Sequence, residues 1–388
     1  MKNVFIIGSR GYNFNYGGWE TFVTNLVNYS LDKDSTFYIP YLTHNKRDNY
    51  KVSKKDNLVN INIYTKKSGF TTMFYFTIKS IKYVLKYIKD NNLNNCVLVI
   101  LGCKIGPLMP LWYKKFHKLN VKIVLNPDGL EWKRDKWSWW IKECFKLSER
   151  KSVKYSDHVV CDSKSIKRYI DDKYKIYNKS SFIAYGSSNT KGIKNNNVKK
   201  MFKNYGIHEN DYYLIVGRFV PENNYETMIR EFMNSKSKRD LVIITNLEHD
   251  KFYDELLEKT NFTSDSRIKF VGPFYDQEGL IYIRENAYGY IHGHSAGGTN
   301  PSLIEALSRT NLNILFDVSY NKEVGVNSCY YFTKQEGSLQ RVIDKVDNLG
   351  IEELIKLGLK CKKRVKEDYT WELIATRYDV LFEDLLDE

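Results

Sequence analysis

Residues 289–316 read GYIHGHSAGGTNPSLIEALSRTNLNILF. A short apolar strand, Gly289–Ile291, runs into a glycine-rich turn, and a helix opens with Pro301 near its first position, where a missing N–H costs nothing. That helix spans 301–309, and a second apolar strand, Asn313–Phe316, follows. Short buried strands joined through helices are the building unit of a parallel sheet covered on both faces.

The same alternation extends outward in both directions. Before this stretch come strand Tyr213–Val216, a helix near 223–234, and strands Leu241–Thr245 and Ile268–Val271. In the first half a strand at 3–8 meets a glycine-rich loop reaching Gly18, then a helix from Trp19 to Ser30. Strands near 36–43, 96–101, 121–126 and 158–161 follow. The polar, turn-rich segment Gly186–Val198 (GSSNTKGIKNNNV) is expected to link two domains. The expected organisation is a Rossmann-like domain at 1–186, a second at 187–370, and a C-terminal helix at 371–388 that crosses back to the first. A polar break at Lys366–Asp368 is expected to precede that helix. Two such α/β domains would face a cleft formed at the carboxyl ends of their strands.

A length of 388 residues suits two domains. No apolar run approaches the ~20 residues of a membrane-spanning helix, and no signal-peptide pattern opens the chain. A cytoplasmic protein is the expectation. The six cysteines show neither a C-x-x-C pair nor a zinc-ligand spacing with the seven histidines, and read as small buried hydrophobes. The net charge of +14 is uneven: residues 1–188 carry 33 Lys+Arg against 15 Asp+Glu, and the remainder 27 against 31. A basic first half suits an anionic membrane surface or a diphosphate-bearing acceptor.

Three constellations can carry chemistry. Gly8-Ser9-Arg10-Gly11, continuing to Gly17-Gly18-Trp19-Glu20, places a flexible turn at a helix N-terminus, where backbone N–H groups attract anions. Its spacing is not the dinucleotide G-x-G-x-x-G. Val216-Gly217-Arg218 ends a strand with a guanidinium whose planar fork matches phosphate oxygens. The run from His292 to Leu307 offers the amides of Gly297-Gly298-Thr299-Asn300 as a diphosphate cradle, and Glu305 as an acceptor for ribose hydroxyls. His292 and His294 lack a third ligand at metal-binding spacing, so no metal is expected.

Taken together these motifs resemble glycosyltransferase family 4, with its G-R-x-x-x-E-K loop and E-x7-E motif. The segment R-G-Y-x-x-x-Y-G-G-x-E-T at 10–21, Asp128-Gly129-Leu130-Glu131-Trp132-Lys133-Arg134, and H-S-x-G-G-T-N-P-S-L-x-E-A look like its bacterial rhamnosyltransferase branch. The resemblance implies a GT-B fold and transfer of L-rhamnose from dTDP-β-L-rhamnose to a lipid-diphosphate-linked sugar in capsule or cell-wall polysaccharide synthesis. It further implies retention of configuration, no metal and no cofactor beyond the nucleotide-sugar substrate, and a peripheral position at the inner face of the plasma membrane. Arg218, Asp128 and Asp162 become the catalytic candidates. Gly17, Gly18, Arg218, His294, Gly297, Gly298, Thr299, Asn300 and Glu305 are the donor candidates. Glu20, Glu131, Trp132, Arg134 and Tyr185 are the acceptor candidates. Two positions depart from the family pattern: Gly297 stands eight residues before Glu305, where the family has glutamate, and Asn223 stands where it has lysine.

Trp132, Trp137, Trp139 and Trp140 interleave with basic residues, a composition suited to a membrane interface or to sugar stacking. The helix Phe70–Lys89 is aromatic and lysine-rich. Other readings stay open: a UDP-sugar glucosyl-, galactosyl- or N-acetylhexosaminyltransferase, a nucleotide-sugar epimerase, or a basic nucleic-acid-binding protein, although no nucleic-acid motif is present. A dehydrogenase would use Tyr169-x-x-x-Lys173, but the dinucleotide fingerprint is missing.

Overall fold

A computed structural model describes the chain except for residues 15, 16, 31, 33, 68–70, 134–136, 248–250 and 388. The chain divides into two compact units, Met1–Tyr185 together with Trp371–Glu388, and Gly186–Thr370.

The first unit contains β1 (Lys2–Ile7), α1 (Gly18–Tyr29), β2 (Ser35–Thr43), β3 (Val52–Lys55), β4 (Leu58–Tyr64), α2 (Thr72–Asp90) and β5 (Cys96–Leu101). It continues through α3 (Met109–His117), β6 (Lys122–Asn126), α4 (Trp139–Lys154), β7 (His158–Cys161), α5 (Lys164–Tyr174) and β8 (Ser180–Phe182). Its eight strands lie in the order β3-β4-β2-β1-β5-β6-β7-β8. All neighbours are parallel except β3, which runs antiparallel to β4 at the edge. Every residue of β5 is buried, which is why CVLVIL is an unbroken apolar run rather than an alternating one.

The second unit contains α6 (Asn196–Tyr205), β9 (Tyr212–Val216), α7 (Tyr225–Met233), β10 (Asp240–Ile244), α8 (Lys251–Thr260), β11 (Ile268–Phe270) and α9 (Gln277–Glu285). It continues through β12 (Gly289–His292), α10 (Pro301–Arg309), β13 (Leu312–Phe316), α11 (Ser319–Gly325), β14 (Tyr330–Phe332), α12 (Ser338–Val346) and α13 (Ile351–Asp368). Its six parallel strands take the order β11-β10-β9-β12-β13-β14. The last helix, α14 (Trp371–Asp387), belongs to the first unit. It rests on α1, with Phe22 against Trp371 and Tyr378, and Ser30 Oγ donates to Asp379 at 2.9 Å.

Each sheet reverses its strand order once. In the first unit the reversal falls between β1 and β5, and in the second between β9 and β12. The loops leaving the carboxyl ends of two such strands splay to opposite faces, which opens the crevice where α/β sheets hold ligands.

Several sequence expectations are corrected. Lys366–Asp368 is not a break: it forms the end of α13, whose buried Leu354, Gly358, Cys361 and Val365 keep helical spacing. The chain turns instead at Tyr369 and Thr370. The segment 186–198 is not wholly linker, because α6 starts at Asn196, with the Asn195 side chain accepting from the N–H groups of Asn197 and Val198. Strands β3, β4, β8 and β14 lie outside the strands expected from sequence. Cys144 is exposed on α4 rather than buried, and no disulfide forms among the six cysteines. Among the described residues no helix is long and apolar enough to cross a membrane.

Candidate functional site

In the second unit the two strands at the order reversal end in the two loops singled out by sequence. β9 leads to Gly217 and Arg218, and β12 leads to Gly293–Asn300. The segment Glu222–Asn224 knits them together. Asn223 donates through its amide to the Arg218 carbonyl at 2.7 Å, and its side-chain oxygen lies 2.9 Å from His294 Nδ1. Asn224 donates to the Gly293 carbonyl at 2.6 Å. Ser295 donates to the Glu222 carbonyl through both N–H, at 2.9 Å, and Oγ, at 2.8 Å.

The Asn223 departure therefore has a structural task that lysine, a pure donor, cannot perform. Gly297 has a comparable explanation. Its φ of +121° is a conformation that a side chain rarely adopts, so glutamate would strain the turn here.

Arg218 is exposed and forms no ion pair with a described residue. The N–H groups of 297–300 make no hydrogen bond to described residues, while Asn300 caps α10 by accepting from Ser302 N–H at 2.9 Å. Thr299 Oγ1 and His292 Nε2 are buried without a hydrogen-bond partner among the described residues. Burial, reinforced by His294, holds His292 well below the usual histidine range, so it is neutral at pH 7. The two tied loops thus carry, among the described residues, a guanidinium without an ion pair, amides without a hydrogen bond and a helix N-terminus, groups suited to an anion.

Glu305 sits one turn into α10 with its side chain 31% exposed, and its Oε2 lies 2.7 Å from Nη2 of Arg284 on α9. Arg284 is 2% exposed. The sequence reading missed it, because an arginine on an amphipathic helix carries no local signal of burial.

In the first unit Asp128 and Asp162 follow β6 and β7. Asp128 is half-buried in a left-handed turn with φ of +65°, and its N–H donates to Asn126 Oδ1 at 3.0 Å. Ser163 supplies the N-cap of α5, accepting from Ile166 N–H at 3.1 Å, so the cap role does not fall to Asp162, which is 2% exposed. Tyr185 is buried and hydrogen-bonds to Asp162. Burial first, then the charges of Asp162 and Asp128, raise its phenol well above the ordinary range. Tyr378, from α14, is raised by burial and hydrogen-bonds to Asn126. Two carboxylates and two buried phenols thus meet at the carboxyl ends of β6 and β7.

The remaining first-unit candidates have internal partners. Glu20 is buried, and its Oε1 accepts from Arg10 N–H at 2.9 Å. A Cβ on Gly17 (φ +142°) would come within 1.9 Å of Glu20 Oε2, so this glycine allows the carboxylate to brace the loop; Gly18 begins α1 beside it. Glu131 Oε1 accepts from Trp137 Nε1 at 2.9 Å, and Trp132 Nε1 donates to buried Glu149 at 3.2 Å. Arg134 lies outside the described residues. Glu149 also accepts from Tyr169, Tyr174 and Lys173. Burial and Glu149 raise the Tyr169 phenol, the opposite of what a dehydrogenase base requires at neutral pH.

Among the described residues no three His, Cys, Asp or Glu side chains gather to hold a metal ion.

The two parallel-sheet units define an α/β protein of the GT-B fold. Residues 1–188 match the family model DUF1972, a domain of unknown function. No curated protein sequence matches this chain. The fold is shared with sucrose-phosphate synthase from Thermosynechococcus elongatus, at 14% identity and a TM-score of 0.81 over 100% of both chains. It is also shared with Anabaena HepE in complex with UDP and glucose, at 11% identity and 0.73 over 99% of each. A glycosyltransferase from Rickettsia africae matches at 15% identity and 0.70, covering 99% of this chain and 98% of that one.

Proposed function

We propose that the chain is a glycosyltransferase whose second unit binds a nucleotide-sugar. The observation that carries this reading is the knitting of the Arg218 loop to the 293–300 loop through Asn223 at the strand-order reversal. In this reading the Arg218 guanidinium and the 297–300 amides, which bond no described residue, hold the diphosphate. The more specific reading, resting on the motif resemblance, is transfer of L-rhamnose from dTDP-β-L-rhamnose to a lipid-diphosphate-linked sugar in bacterial surface-polysaccharide synthesis.

In this reading the acceptor hydroxyl attacks the anomeric carbon on the face that the diphosphate leaves. The bond to the leaving oxygen breaks, the new glycosidic bond forms, and the hydroxyl proton passes to the departing diphosphate, so the β configuration is retained. No metal takes part. Arg218 and the 297–300 amides stabilise the leaving charge, while Asp128 and Asp162 orient the acceptor or its proton.

Membrane contact through the first unit accompanies this proposal. On α4 Trp139 is 77% and Trp140 57% exposed, and the helix carries Lys142, Lys146, Arg150, Lys151 and Lys154 against Glu143 and the buried Glu149. Tryptophan with surplus positive charge suits an anionic interface.

A UDP-sugar donor is the alternative, favoured by the neighbour determined with UDP and glucose. Thermal stabilisation of the full chain decides between them. A larger shift with dTDP and dTDP-rhamnose than with UDP-sugars supports rhamnosyl transfer. A shift with UDP species alone keeps the class and removes rhamnose, and no shift with any nucleotide removes the class. Saturation at a hundredfold excess over Kd is worth about 2.7 kcal/mol.

A further inference from the structure

We propose that Arg284 is a positioning residue that fixes the Glu305 carboxylate for a sugar hydroxyl of the bound nucleotide, and so selects hydroxyl-bearing nucleoside diphosphates. The inference rests on the donor-site reading of the second unit.

Arg284 enters from α9, beneath the first turns of α10, and is 2% exposed. A guanidinium that deeply buried is costly unless it is paired. Its ionic partner is Glu305, 2.7 Å away. The same Nη2 donates to Ser302 Oγ at 3.1 Å. Ser302 Oγ lies 3.1 Å from Tyr290 Oη and donates to the Val216 carbonyl at 3.2 Å. The guanidinium is therefore locked against Ser302, the second residue of α10, and against Glu305 one turn further on, and Ser302 is tied in turn to the end of β9.

Packing alone does not account for this arrangement. Arg284 Nε is buried with no partner among the described residues, and the positive charge lies near the positive end of the α10 dipole. A hydrophobic side chain would avoid both costs. The arrangement instead serves Glu305, whose side chain remains 31% exposed. With Oε2 held inward, the carboxylate has one orientation, and Oε1 is left to accept from a ligand. The ion pair also offsets the repulsion that an isolated carboxylate would exert on a diphosphate bound at the same helix terminus.

The test is calorimetric affinity of the full chain for dTDP and for its 3′-deoxy analogue, in wild type and in Arg284→Met, Arg284→Lys, Glu305→Gln and the Met/Gln double variant. Wild type is expected to prefer dTDP about tenfold, because a site built to bond a hydroxyl rejects the ligand lacking it. Arg284→Met and Glu305→Gln should each abolish that preference by weakening dTDP alone, the double variant should be no worse than either, and Arg284→Lys should restore part of the preference. Arg284→Lys keeps a positive charge to face Glu305, so the test stands even if Arg284→Met folds poorly. Equal loss for both ligands in Arg284→Lys and Arg284→Met would indicate a merely structural residue and overturn the proposal, as would an intact preference in Arg284→Met. Failure of the wild type to bind any nucleoside diphosphate overturns the donor-site reading itself. Binding without the predicted effect overturns only the role of Arg284.

Discussion

Asn223 Oδ1 lies 2.9 Å from His294 Nδ1, joining the loop after β9 to the loop after β12. The same side chain donates to the Arg218 carbonyl, so one residue ties together the two loops proposed to hold the diphosphate. Asn223→Lys, which installs the residue usual in the resembled family, removes an acceptor and breaks the tie. Each lost bond is worth about 0.5–1.5 kcal/mol, and in a domain of this size each kcal/mol moves Tm by roughly 2–4 °C. Expected is a modest fall in Tm with a larger, about tenfold, loss of nucleotide affinity. Affinity equal to wild type would show that the loops hold their spacing without Asn223.

Gly297 gives a complementary prediction. At φ of +121° any side chain introduces backbone strain of about 1–3 kcal/mol. Gly297→Ala and Gly297→Glu should both lower stability in urea titration, and the glutamate should not improve donor binding although it recreates the E-x7-E spacing. Tighter nucleotide binding by Gly297→Glu would show that the turn relaxes readily.

The parallel α/β pattern and both second-unit loops were legible because apolar strands end in glycine-bearing turns there. Strand β4 escaped because Asn60 and Asn62 interrupt LVNINIY, although Leu58, Val59, Ile61 and Ile63 are buried. β8 escaped because Ser180-Ser181-Phe182 is short and half-buried. In the candidate site the residues with local signatures, Arg218 and 297–300, stood out. Arg284 and Tyr378 did not, since their meaning arises from helices remote in sequence.

Exposure of Trp139 and Trp140 predicts vesicle binding. The full chain should co-sediment with vesicles containing phosphatidylglycerol and not with pure phosphatidylcholine, and binding should weaken as salt rises. Replacing both tryptophans by alanine should reduce partitioning about tenfold while changing stability by no more than about 0.5 kcal/mol, as expected of exposed positions. Unchanged partitioning would move any membrane contact away from α4.

Asp265 supplies a pH-dependent test. Arg267 grips its carboxylate through Nε at 3.0 Å and Nη2 at 2.6 Å, and this pairing holds Asp265 below the usual carboxylate range. Arg267 also donates to the Met233 carbonyl at 3.1 Å, so the pair ties the start of β11 to the end of α7. A carboxyl with a depressed folded-state pKa stabilises fully above its unfolded value, about 3.9, and that stabilisation disappears as pH falls through the folded value. Asp265→Asn should therefore be less stable than wild type at pH 7, by about 1.5–3 kcal/mol for a charge-assisted bond. The difference should shrink in urea titrations as the pH is lowered below about 4. A gap that stays constant from pH 7 to pH 3 would mean that the variant loses shape rather than charge.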